Sequence, residues 1–67
     1  MPLAVGMLND RARRVRWRAA YELGAWAADV PLDIVEKACR AEMHDGTRRM
    51  MQHLLQKATE EQGKTGN

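Results

Sequence analysis

The sequence predicts a small all-α domain, a bundle of three short helices. Three observations carry this. Prolines occur only at positions 2 and 31, so two long stretches lack the residue that breaks a helix interior. The good helix formers Ala, Arg, Glu, Leu, Met and Gln dominate the composition. Apolar residues recur at steps of three and four, the period of a helix face, and strand-like alternation is confined to the extreme N-terminus.

The first helix is expected to start near Asn9 or Asp10, whose side chains accept hydrogen bonds from the free N–H groups of a first turn. Ala12, Val15, Ala19, Leu23, Trp26 and Val30 mark its inner face. Pro31 drives Val30 toward extended geometry, so this helix should stop near Ala28 or Asp29. Pro31 itself suits the first turn of a second helix, where a missing N–H costs nothing. Asp33 and Glu36 favour the positive end of that helix. Its apolar face is Leu32, Val35, Ala38 or Cys39, and Met43, and Gly46 is expected to end or bend it. A third helix, capped by Thr47 or Asp45, should run to about Glu61 and present Met50, Met51, Leu54, Leu55 and Ala58. The closing QGKTGN has no periodicity and two glycines. Residues 62–67 are therefore expected to form a disordered tail after one helical domain of residues 1–61.

A second arrangement competes with this one. The series Val35, Cys39, Met43, Thr47, Met50, Leu54, Ala58 keeps helical spacing straight through Gly46, and an interior glycine costs only about 1 kcal/mol. Residues 32–61 would then be one helix and the chain a helical hairpin, whose single seam needs a second copy to cover it.

Size adds a constraint. A chain of 67 residues makes one domain, and a core of this size supplies only about 3–5 kcal/mol net. Cys39 is the only cysteine, so no disulfide within the chain can help, and no Cys/His spacing fits a structural metal. No cofactor is expected, and homodimerisation is. The opening MPLAVGML lacks a basic segment before it, and the arginines follow it, the wrong order for a secretory signal. No run reaches the roughly 20 apolar residues of a membrane span. With one unbridged cysteine and no export signal, a cytoplasmic location is expected.

The formal charge of +2 conceals a segregation. Residues 10–18 carry five arginines against Asp10, residues 22–45 carry six acids against Lys37 and Arg40, and residues 46–67 carry four bases against Glu60 and Glu61. A chain polarised in this way meets a polyanion, or an oppositely charged partner, with one part of itself.

At about 100° per residue, the arc opposite the inner face of the first helix holds Arg13, Trp17, Ala20, Tyr21, Gly24 and Ala28. Arg14 and Arg18 flank it and Arg11 adjoins them. Aromatic rings beside guanidinium groups can stack on bases while the guanidiniums hold phosphates. Arginine's rigid fork also suits phosphate better than lysine does. The plainer interpretation is a solvated surface in which Arg18 pairs with Glu22 at i,i+4. A third possibility uses the small residues Ala20, Gly24 and Ala28, at four-residue spacing below Trp17 and Tyr21. Such a stripe lets another helix approach closely, which points to a second copy or a protein partner.

Residues 24–40, GAWAADVPLDIVEKACR, resemble a helix-turn-helix. Ala25, Ala28, Val30, Val35 and Ala38 occupy its small and apolar positions. Asp29 stands where that pattern prefers glycine, and Gly24 replaces a bulkier residue. The would-be recognition helix also leads with Asp33 and Glu36, which a phosphate backbone repels. If DNA is the ligand, the first helix and the pair Arg48 and Arg49 are better anchors.

Nothing in the chain points to catalysis. Cys39, His44, Asp45 and His53 are the reactive candidates, and none of their spacings brings two of them together on a helix face. No glycine-rich phosphate cradle is present. Helix-plane membrane binding by the basic, Trp-containing first helix is weakened by the acids that follow it. Two non-enzymatic functions therefore stand. One is a small, dimeric regulator of transcription or RNA that binds DNA or RNA through Arg11, Arg13, Arg14, Arg18, Trp17, Tyr21, Arg48 and Arg49. The other is an adaptor or inhibitor docking on a protein through Trp17, Ala20, Tyr21, Gly24 and Ala28.

Overall fold

A computed structural model of the chain describes residues 4–65. Within them the order is α1 (Ala4–Met7), α2 (Arg13–Leu23), a 3-10 turn (Gly24–Trp26), α3 (Leu32–Ala41) and α4 (Asp45–Thr65). The all-α bundle is thus observed. It has three substantial helices, and one added turn of helix at the start that apolar spacing did not resolve.

The central element is α4. Its 21 residues span about 31 Å at 1.5 Å each, and both α2 and α3 pack on it, while α1 packs on α2. Arg13, Arg14 and Trp17 lie beside His44 and Thr47, and Tyr21 and Gly24 beside His53 and Lys57. So α2 and α4 run in the same direction. The end of α3 meets the start of α4, with Cys39 and Arg40 beside Arg48, so those two are antiparallel. The core between them holds Leu8, Ala19, Ala20, Leu23, Ala27, Val30, Val35, Ala38, Met51, Leu54 and Ala58. Val5, Leu32, Cys39, Met50 and Leu55 are partly buried against it.

The boundaries differ from expectation in physically informative ways. Asp10 does not cap α2 directly. Its Oδ1 accepts the N–H of Ala12 at 2.8 Å, forming a side-chain turn ahead of the helix, and Ala12 occupies the cap position without a side-chain bond. The inner arc of α2 is rotated from the expected one. Ala20 is buried, whereas Trp26 is 46% exposed: the small alanine lets α4 approach, and Trp26 falls in the 3-10 turn, where the spacing of α2 no longer sets its direction. Met43, also expected inside, is 88% exposed. It belongs to the 42–44 connection and not to α3.

That connection decides between bundle and hairpin. Helix α3 stops at Ala41, where Glu42 turns extended with φ −73° and ψ 122°. Gly46 neither ends the second helix nor lies mid-helix in a continuous one; it sits in the first turn of α4. Two side chains take the place of the missing sequence punctuation. Glu42 is drawn away to Arg16, and His44 caps α4: its Nδ1 accepts the N–H of Thr47 at 3.2 Å, and its carbonyl accepts the N–H of Arg48 at 2.8 Å. A Cβ at Gly46 would lie 3.1 Å from His44 Cε1, so glycine leaves room for the capping ring.

The expected tail is also revised. Residues 62–65 continue α4, and Gln62 Nε2 donates to the carbonyls of Ala27 at 3.1 Å and Val30 at 2.7 Å. Residues 66–67 and 1–3 lie outside the described part. The helix-turn-helix resemblance fails as a packing pattern. Ala25 and Ala28 are exposed, α2 and α3 both pack on α4 with little contact between them, and no described residue adopts the left-handed conformation.

Candidate functional site

Seven arginines lie in or before the N-terminal halves of α2 and α4, and the structure separates them by role. Arg16 is the most deeply committed. Its Nε and Nη2 donate to Glu42 Oε1 and Oε2 at 2.7 and 3.0 Å, and its Nη1 to the carbonyls of Asp10 and Arg11 at 2.9 and 3.0 Å. The Glu42 side chain is 1% exposed. The hydrogen bonds from Arg16 hold its carboxyl below the ordinary range against the opposing effect of burial, with the N–H of His44 assisting. The same contact, led by the hydrogen bond to Glu42, raises Arg16 further above its already high value. Arg48 is structural too: its Nε and Nη2 donate to the Glu42 carbonyl at 3.1 and 2.8 Å.

The expected set omitted Arg16. It lies three, four and seven residues before the buried Ala19, Ala20 and Leu23, on a face where a charged group must find a partner inside, but only the fold shows that it does.

The remaining arginines face outward. Arg11, Arg13, Arg14, Arg18 and Arg49 are exposed. Arg18 Nε pairs with Glu22 Oε1 at 2.9 Å, and the other four have no ion-pair partner among the described residues. Arg13 and Arg14 occupy the first turn of α2, which contains no acid. There they oppose the helix dipole, a position that costs a few tenths of a kcal/mol each.

Beside them stand Trp17 and Tyr21, one turn apart. Their rings stack with centroids 5.5 Å apart and planes 12° from parallel. They are 40% and 61% exposed, so the pair forms a flat aromatic surface on the outside of the bundle.

Two shallow depressions, set one after the other along the seam between α2 and α4, make up the groove these residues edge. One end is lined by Arg13, Arg14, Trp17, His44 and Thr47. The other is lined by Ala20, Tyr21, Gly24, Met50, His53, Leu54 and Lys57. No carboxylate lines either end; Glu60 lines a neighbouring depression with His53 and Lys57. His53 and Lys57 were not among the expected site residues. Their i,i+4 spacing next to Met50 and Leu54 was the available signal, and only the parallel placement of α2 brings them to Tyr21.

The expected small-residue stripe does not survive as an open seam. Ala20 is 1% exposed and Gly24 is half-buried, leaving Ala28 alone outside. The groove's floor under Ala20 is already occupied by α4 of the same chain.

Among the described residues no cluster of His, Cys, Asp and Glu could hold a metal ion, and no helix is long and apolar enough to cross a membrane. No protein-family model, no curated protein sequence and no solved structure matches this chain.

Proposed function

We propose that this is a small regulatory nucleic-acid-binding protein of the cytoplasm, working as a homodimer, that grips phosphates with the arginines of α2. One observation carries the proposal. An exposed Trp17–Tyr21 stack lies beside the unpaired guanidiniums of Arg13 and Arg14, on a groove free of carboxylates. Arg13 and Arg14 disfavour the start of their own helix, so a polyanion that neutralises them also relieves a local penalty. Arg11 and Arg49 extend the basic surface. Arg18 joins it readily, because an exposed i,i+4 pair such as that with Glu22 is worth only about 0.3–0.5 kcal/mol. The dimer reading rests on chain length, since the core of a 67-residue chain supplies only about 3–5 kcal/mol on its own.

The adaptor reading uses the same two rings. With Ala20 buried it rests on Trp17 and Tyr21 alone, without a small-residue seam for a partner helix.

The test is binding to duplex and single-stranded polynucleotides across a salt series. Affinity should fall steeply with salt, and Arg13→Ala with Arg14→Ala should flatten the fall by about one contact per residue removed. The same variant should keep its helix content. A flat salt response, or no binding at low salt, transfers the function to protein docking. Sizing at low and high protein concentration tests the dimer, and a folded monomer throughout rejects it.

A further inference from the structure

The Trp17–Tyr21 stack restricts which nucleic acid fits. Resting on the nucleic-acid reading above, we infer that the ligand is a single-stranded polynucleotide, lying along the α2/α4 groove with a base on the open face of Tyr21 and little preference for sequence.

Three features carry this. First, a stacked ring pair offers a flat apolar face, and only unpaired bases can present a face in return; in a duplex those faces are already stacked. Second, the helix-turn-helix pattern supplies no recognition helix: α3 carries Asp33 in its first turn, and Ala25 and Ala28 before it do not pack as that motif requires. Third, base edges are discriminated chiefly by bidentate groups such as Asn, Gln and carboxylates, or by arginine inserted into a groove. The α2/α4 groove is lined by no Asn, Gln, Asp or Glu. Its polar edge consists of cations and rings, which hold backbone and stack on any base.

The dimensions follow. From Arg13 to Gly24 the groove runs along α2 for about 16 Å at 1.5 Å per residue, room for roughly five nucleotides at a stacked spacing of about 3.4 Å. Arg13 and Arg14 hold phosphates at one end and Lys57 at the other. Three such contacts to a single strand give a slope of log affinity against log salt of about −2.

The experiment compares oligodeoxyuridylate, oligouridylate and a mixed-sequence duplex of equal length, at low salt, with the full chain. Both single strands should bind more tightly than the duplex, and the ratio between them assigns the sugar. Tyr21→Ala should weaken single-strand binding roughly tenfold while Tyr21→Phe leaves it unchanged. In a Trp26→Phe background, the emission of Trp17 should change on adding either single strand, a readout that needs no change at Tyr21. If the duplex binds as tightly as the single strands and Trp17 emission does not respond, the inference is overturned while the nucleic-acid reading stands. If no polynucleotide binds, both fall.

Discussion

Arg16 and Glu42, 26 positions apart, meet in a two-pronged ion pair, Nε to Oε1 at 2.7 Å and Nη2 to Oε2 at 3.0 Å. The pair ties the start of α2 to the α3–α4 connection. Through the Glu42 carbonyl and carboxylate it also holds Arg48 and the N–H of His44. Three chain segments, the start of α2, the 42–44 connection and the start of α4, thus converge on one buried acid.

Removing either partner strips the other of its opposite charge, leaving Glu42 only the N–H of His44 and Arg16 only the carbonyls of Asp10 and Arg11. Arg16→Ala strands a carboxylate that is almost wholly enclosed, and loss of a buried partner costs about 3–5 kcal/mol, the scale of this domain's whole stability. Arg16→Ala should therefore be largely unfolded by circular dichroism at room temperature. Glu42→Gln, which keeps the shape and the acceptor oxygen, should fold with a lowered urea midpoint. A midpoint for Arg16→Ala equal to that of the unaltered chain would contradict this.

Acid should act through the same carboxyl. Glu42 has a folded value lowered chiefly by the hydrogen bonds from Arg16, against an unfolded value near 4.3. Its contribution is complete above the unfolded value and is lost as pH falls through the lower, folded one. Urea midpoints measured from pH 6 downward should stay level and then drop below about pH 4.5. The drop should be shallower in Glu42→Gln, and equal slopes in the two proteins would assign acid sensitivity elsewhere.

His44 and Gly46 should behave as a coupled pair. His44→Ala removes the acceptor for the Thr47 N–H and should cost about 1 kcal/mol, the usual value of a cap. Gly46→Ala adds helix propensity but brings a methyl to 3.1 Å from His44 Cε1, so in the unaltered chain the two effects should nearly cancel. In the His44→Ala background the methyl meets open space, and Gly46→Ala should stabilise by about 0.5 kcal/mol. A double-mutant cycle by chemical denaturation measures this; strict additivity would mean that ring and methyl do not compete.

Gln62 closes the turn between α2 and α3 by donating to Ala27 and Val30. Gln62→Ala leaves two carbonyls without that donor and should lower stability by about 1–2 kcal/mol. Amide hydrogen exchange should locate the effect, with protection falling first in residues 27–30 and the end of α4. Uniform loss across the chain would mean that the turn is not a separate local unit.

The helical class, the approximate places of α2, α3 and α4, and the outward position of Trp17, Tyr21 and Arg13 were all legible in the sequence. Each follows from local rules: three-four spacing of apolar residues, one proline between helices, and side chains distributed about a single axis. A break near Gly46 was expected, but its place at 42–44 was not legible, because no glycine or proline stands there. It exists because Arg16, far away in the chain, binds Glu42, and because His44 does the capping usually left to Ser, Thr, Asp or Asn. Nor could spacing alone reveal which arginines are structural, that Ala20 lies against α4 while Trp26 stays outside, or that His53 and Lys57 complete the groove beside Tyr21. Periodicity determines which residues share a face of one helix. Which face meets which helix, and in what direction, is set by the fit of side chains and the pairing of buried charge between segments, and those terms arise only when the chain has folded.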